Sequence, residues 1–257
     1  IPKRDWSSDV CSSDLESDRS MKKMRQDLRF ASVSLVCLLM FAWNAPVSAD
    51  ENLLTPKEKA EGWILLFDGK TFDGWKTSDM KPSLNPVEDG AINPHGCGAY
   101  MMVNEKEWSN FVLSLDVKIS KGCNSGVFVW TFPLTALPGK DVGYNGIETQ
   151  VIDSTEAGYH DTGAIYDLVK PTKNAMKLVG EWNHIEITCN NNRIDVVVNN
   201  EKVSSMNLDE WTKPNRRPDG SEHKFDIAFK DHPRHGYIGL QDHGSPCWYK
   251  NIKIKPL

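Results

Sequence analysis

The chain has 257 residues, 39% of them hydrophobic, and its 35 Asp and Glu outweigh 30 Lys and Arg to give a formal charge of −5. With no basic stripe in that balance, nucleic acid is excluded as a partner. No glycine-rich phosphate loop, internal repeat or long helical period occurs, which argues against nucleotide-binding α/β and helical-bundle classes.

Residues 1–20 are rich in Ser and Asp, have no structural periodicity and cannot supply a core. They read as a non-native or disordered leader, with the natural start expected at Met21 or Met24. From Met21 the pattern is that of a secretory signal peptide over 21–49. A basic start (Lys22, Lys23, Arg25, Arg29) precedes the apolar run Ala31 to Trp43 and a small-x-small site ending at Ala49. The run is too short to span a bilayer, so no membrane span is expected in the mature chain. Cys37 lacks the small residue before it that a lipid anchor needs. Export to a periplasmic or extracellular space follows, and it permits disulfides. Cys97, Cys123, Cys189 and Cys247 remain in 50–257, and sequence alone cannot choose among their three pairings.

Residues 50–257 read as a single domain of the size common for β-sandwiches. Pro56-Lys57-Glu58-Lys59 opens a short helical turn. Trp63 to Phe67 is an apolar strand ending on Asp68-Gly69, and Asp73-Gly74 and Asp89-Gly90 are further turns, since Asp and Gly both tolerate positive φ. The clearest alternation is Phe111 to Ile119, with Phe111, Leu113, Leu115, Val117 and Ile119 on the buried face. Val127 to Trp130 follows a Gly-containing turn. Trp182 to Cys189, a turn at Asn190–Asn192 and Ile194 to Val198 form a hairpin. The segment 207–235 is polar and loops over the surface. Gly236 to Gly244 and Trp248 to Ile254 supply the last strands. Many short strands separated by turn signals predict a two-sheet antiparallel sandwich.

Within this pattern Gly146-Ile147-Glu148-Thr149-Gln150-Val151-Ile152-Asp153 stands out. Alternation along a strand puts Glu148 and Gln150 on one face, about 7 Å apart. A carboxylate and an amide there suit a solvated groove that grips polar ligands; the alternative is a sheet whose outer face is simply wet.

Taken together and in order, Leu66-Phe67-Asp68-Gly69-Lys70, Asn124-Ser125-Gly126-Val127-Phe128, Gly146 to Asp153, Thr162 to Tyr166, Gly180 to Asn183 and Gly239 to Gly244 resemble the 3-keto-disaccharide hydrolase family over nearly all of 62–257. The resemblance implies an all-β, concanavalin-like jelly-roll sandwich of two antiparallel sheets, whose concave sheet forms a carbohydrate groove. It also implies an oligosaccharide or glycoside substrate oxidised at C3, cleaved by elimination and hydration. The family places an arginine shortly after the Asn-Ser-Gly-x-Phe stretch; Trp130 stands there instead and is expected to be a stacking platform.

That chemistry needs a base near C2, donors for the enolate oxygen and an acid for the leaving oxygen. Glu148, His243 and Gln150 are the catalytic candidates. Gln241, Trp130, Tyr144, His160, Asp153, Tyr166 and Asn124 are the candidates for binding substrate. Each has a plainer alternative: a salt-bridge partner for Glu148, a strand terminus for His243, loop surface for His160, a turn cap for Asp153, and core packing for the aromatic residues. Trp63, Trp75, Trp182 and Trp211 are assigned to packing. A divalent ion, catalytic or a structural calcium, is possible, but no ligand spacing is diagnostic. Two further readings stay open. One is a two-carboxylate glucanase, whose strand here carries an amide at the middle position; the other is a non-catalytic, lectin-like binding module.

Overall fold

A computed structural model describes residues 51–257 apart from 155 and 157. The leader and signal peptide expected over 1–49 lie outside the described residues. The short helix α1 (Pro56–Ala60) starts where expected, because Thr55 and Glu58 form a reciprocal capping box and Pro56 occupies the first turn.

Among the described residues eleven strands make two antiparallel sheets. One sheet holds β1 (Ile64–Leu65), β11 (Cys247–Pro256), β4 (Phe111–Ile119), β7 (Asn183–Asn190), β8 (Arg193–Val198) and β9 (Glu201–Asn207), in that spatial order. The other holds β2 (Trp75–Thr77), β3 (Met101–Asn104), β10 (Tyr237–Gln241), β5 (Asn124–Thr131) and β6 (Ile147–Ile152). The architecture is the jelly-roll β-sandwich implied by the resemblance. Among the described residues no helix is long and apolar enough to cross a membrane.

The core lies between the sheets. Phe111, Leu113, Leu115 and Val117 of β4 and Ile185 and Ile187 of β7 face Val127 and Val129 of β5, Ile147 and Val151 of β6, and Leu240 of β10. Each such side chain contributes at most ~1.5–3 kcal/mol by leaving water. The turns use the expected residues: Asp89 and Gly90 sit at φ 47° and 75°, and Asn199 and Asn200 at 49° and 67° between β8 and β9.

Three expectations need correction. Trp130 is no stacking platform: it is fully buried in the intersheet core, and its indole Nε1 donates to the Ser109 carbonyl at 2.7 Å. The cause is a β-bulge. Tyr237 pairs with Thr131 and Gly239 with Phe128, so β5 carries one residue more than β10 across this interval. Trp130 takes φ 51°, and Val129 and Trp130 both turn inward. Gly236 is the facing residue, and a Cβ there would collide with the Trp130–Thr131 backbone. Second, Trp182 is only partly buried, lying beneath the ammonium groups of Lys118 and Lys250 rather than in the core. Third, the 207–235 segment does more than cover the surface: Trp211, Phe225 and Phe229 are buried and pack edge to face. Among the described residues Cys97, Cys123, Cys189 and Cys247 are buried free thiols.

Candidate active site

β5 and β6 lie side by side, with Gly126 opposite Gln150 and Phe128 opposite Glu148. Because β6 puts Ile147, Thr149 and Val151 inward, Glu148 and Gln150 point outward from the same face. Gly126 is required here: a Cβ would strike Glu148 Oε1, so only glycine leaves room for the carboxyl to lie across the neighbouring strand. The free edge of β6 is covered by the segment 163–166. Gln150 N donates to the Ala164 carbonyl (3.0 Å) and Tyr166 N to the Glu148 carbonyl (2.9 Å), and this segment makes only isolated bridges.

A polar cavity of about 110 Å³ opens over this face. Glu148 and Gln150 form its floor with Asn124 of β5 and Gln241 of β10, and His243 stands exposed at its rim. Tyr166 closes one side. Tyr100, Asp141 and Lys224, none of them singled out from the sequence, complete the wall.

Glu148 is half-buried by accessible surface, yet protein surrounds its carboxyl on nearly every side. Burial pushes its pKa up to about 8; the Asp141 carboxylate adds to the rise and the Lys224 ammonium opposes it. The Gln150 amide supports this carboxyl: Nε2 donates to Glu148 Oε1 (2.9 Å) and to the Ser125 carbonyl (3.2 Å), with the amide oxygen turned to the Asn124 side chain.

Gln241 Nε2 donates to Tyr100 Oη at 2.7 Å, and the Tyr100 hydroxyl donates to Asp141. Burial, reinforced by Glu148 and Asp141, holds the Tyr100 phenol well above its ordinary pKa, so it keeps its proton. Asp141 also accepts from Gly143 N (2.9 Å), capping the short 3₁₀ turn Val142–Asn145. Gln241, only 3% exposed, is left with an Oε1 that has no partner. A buried acceptor left empty costs about 1–3 kcal/mol, so a ligand hydroxyl that fills it is favoured.

Lys224 arrives from the 207–235 loop. Its ammonium lies 4.3 Å from the Tyr166 ring centroid and 5.0 Å from that of Tyr144, so both ring faces attract it. The loop is fixed by Asp167, whose Oδ2 accepts from Lys224 N (2.7 Å) and whose backbone carbonyl accepts from Arg217 Nη2 (2.5 Å). Arg217 in turn stacks on Tyr159.

The other candidates lie elsewhere. Asp153 does not line the cavity; its Oδ2 accepts from Gly122 N at 2.8 Å, so it caps a turn. His160 is exposed on the outer side of Tyr166, stacked on that ring at 4.5 Å and 3.3 Å from Asp167 Oδ1. Tyr144 belongs to the wall of an adjoining apolar groove and meets the cavity through Lys224. Among the described residues no three His, Cys, Asp or Glu side chains are grouped to hold a metal ion. The cavity offers two carboxyls and a rim histidine around an ammonium, which is a poor fit to a divalent cation.

Comparison with known proteins bears on this geometry. A family model described as a 3-keto-alpha-glucoside-1,2-lyase-like domain matches residues 62–255. A 3-keto-disaccharide hydrolase of Bacteroides thetaiotaomicron is 30% identical over 233 residues, which cover 77% of this chain and 79% of that protein. Two crystal structures of proposed glycosyl hydrolases from Parabacteroides distasonis are each 31% identical. One superposes with a TM-score of 0.68 over 80% of this chain and 99% of its own, the other with 0.63 over 76% and 99%.

Proposed function

Because the chain belongs to the 3-keto-alpha-glucoside-1,2-lyase-like family, we propose that it cleaves glycosides already oxidised to a ketone at C3, by elimination followed by addition of water. The observation that carries this reading is a carboxyl with its pKa raised to about 8 sharing one small polar cavity with a lysine ammonium. A ketone at C3 acidifies the hydrogen on C2. The ionised form of Glu148, more basic than an ordinary carboxylate, removes that proton. The electron pair moves into an enolate whose oxygen sits beside Lys224, where a fixed cation stabilises developing charge without reorganisation. The enolate then re-forms the ketone as the bond from C1 to the leaving oxygen breaks, leaving a C1–C2 double bond. His243, at the open rim, protonates the leaving oxygen. Water adds at C1 and gives its proton to His243, Glu148 returns a proton to C2, and the net change is hydrolysis. Asn124 and Gln241 hold sugar hydroxyls, the empty Gln241 Oε1 accepting one of them.

Ordinary two-carboxylate hydrolysis is the second reading, and the presence of Asp141 beside Glu148 favours it. The two separate cleanly when purified protein is given a 3-keto-β-glucoside and its unoxidised parent. Release of aglycone from the keto compound alone supports elimination; release from the parent supports the second reading. Binding without turnover of either would leave a lectin-like module.

We also propose that the protein is exported, supported by the basic, apolar and small-residue succession over 21–49. An N-terminus at Asp50 in protein recovered from its natural host tests this; recovery of a chain that retains 21–49 rejects it.

A further inference from the structure

The polar cavity, about 110 Å³, is far smaller than sites that enclose a whole small molecule, so the part of a glycoside beyond the leaving oxygen must emerge from it. Tyr100 and Asp141 mark the way out. Both wall the cavity, and both also wall a groove of about 600 Å³ lined by the stretches 78–80 and 98–100 and by parts of 134–142. The groove of Phe132, Leu137 and His232 shares no wall residue with the cavity. His243, the acid at the rim, lies on the side of the shared wall. Asp242 N donates to the Tyr100 carbonyl at 2.9 Å, so the β10–β3 pairing carries on past Gln241 and holds the chain leading into His243 against that wall.

What the groove offers is decided by its side chains. Asp79 and Asp141 bring carboxylates, and among the described residues no Lys or Arg lines it. Lys81 pairs with Asp79 at 2.5 Å from outside that lining. Asp141 accepts from Gly143 N and from the Tyr100 hydroxyl, and since a carboxylate has about four acceptor positions it keeps capacity for a ligand. The hydroxyls of Ser78 and Thr135 have no partner among the described residues. Between these polar groups lie Met80, Leu134 and Val142, and Met80 is 46% exposed. A sugar ring matches this mixture. Its hydroxyls donate to the carboxylates in charge-assisted bonds, and its C–H faces cover Met80 and Leu134. An anionic ring would meet two carboxylates of its own sign. A ring without hydroxyls would strip water from Asp141 and return no donor.

We infer that this groove is the subsite for the leaving group and that it takes a second, neutral sugar. The inference rests on the proposed 3-keto-glycoside activity. It is tested with the full protein on four 3-keto-β-glucosides, whose leaving groups are glucose, glucuronate, cyclohexanol and methanol. Two variants accompany them: Ala136→Trp, which fills the groove, and Leu137→Asp, which alters the other groove. The expected kcat/KM for the glucose compound exceeds that for each of the other three by about tenfold or more, the scale of one lost charge-assisted bond. Ala136→Trp should lower the glucose-to-methyl ratio by about tenfold, and Leu137→Asp should leave it within about twofold. A ratio near one, a ratio that Ala136→Trp does not move, or one that Leu137→Asp moves instead overturns the subsite while leaving the activity intact. Equal or faster turnover of the cyclohexyl or glucuronate compound overturns the neutral sugar as its occupant. Failure to turn over any of the four overturns the activity, and the subsite falls with it.

Discussion

The polar cavity around Glu148 and the apolar groove lined by Tyr144 and His232 use burial to opposite ends. In the cavity, low water content raises an acid: Glu148 moves up to about 8 and holds its proton at neutral pH. In the groove the same effect depresses a base: His232, held by carbonyls on both nitrogens, moves down to about 4 and stays uncharged. Both groups are thus neutral near pH 7, yet only one can act. Around Glu148 the polar atoms are left with capacity to spare, notably the empty Gln241 Oε1 and the exposed His243. Around His232 the two ring nitrogens face only the Pro233 and Asn145 carbonyls. A buried titratable group becomes chemistry only where its surroundings leave something for a substrate to complete.

The sharpest way to break this contrast is to remove the acid. Glu148→Gln is expected to lower kcat about 10²–10⁴-fold with KM changed little, the usual scale for a lost general base. A loss of less than about tenfold would take Glu148 out of the chemistry. Lys224→Met should come next, with kcat reduced by about 10²-fold or more, as for the loss of one fixed charge-stabilising donor. If it raised KM alone, Lys224 would bind substrate without helping its transition state.

The pH profile sharpens the comparison. kcat/KM should rise with pH and level off above about 8 as free Glu148 ionises. Asp141 raises the Glu148 pKa and Lys224 lowers it, so Asp141→Asn should move the midpoint to lower pH and Lys224→Met to higher pH. Movement of both midpoints in the same direction would contradict that electrostatic arrangement.

Stability should show a smaller effect of the same origin. Glu148 binds its proton more tightly folded than unfolded, so its contribution is intact below the ordinary carboxylate range and is lost as pH rises through about 8. Glu148→Gln is therefore expected to raise Tm at pH 8.5 by about 2–4 °C, equivalent to about 1 kcal/mol in a chain of this size, and to have little effect at pH 5. The sign reverses for His232, whose contribution is present above its unfolded value and lost as pH falls towards about 4. An NMR titration should find the His232 ring neutral down to about that pH, and a midpoint near 6.5 would show that the groove admits water.

Much of this site was legible in the sequence for a local reason. Glu148 and Gln150 had to share a face once 147–152 was a strand, and Gly126 and Asn124 came with the strand beside it. Trp130 shows where that reasoning stops. It lies in the same alternating run, but one extra residue on β5 reverses its face, and no local pattern announces a bulge paid out against Gly236, more than a hundred residues later.

The sequence by itself determined the strand periods, the Asn and Gly turns, the buried row of β4 and the outward pair on β6, because each follows from backbone geometry within a few residues. Only the tertiary structure decided that Tyr100, Asp141 and Lys224 meet Glu148. They come from three loops whose local composition is unremarkable for loops, and Lys224 arrives only because Trp211, Phe225 and Phe229 bury their loop against the sandwich. The shifted acidity of Glu148 belongs to that second category. A pKa answers to every neighbour that excludes water or carries charge, and those neighbours are fixed by the packing of the whole chain.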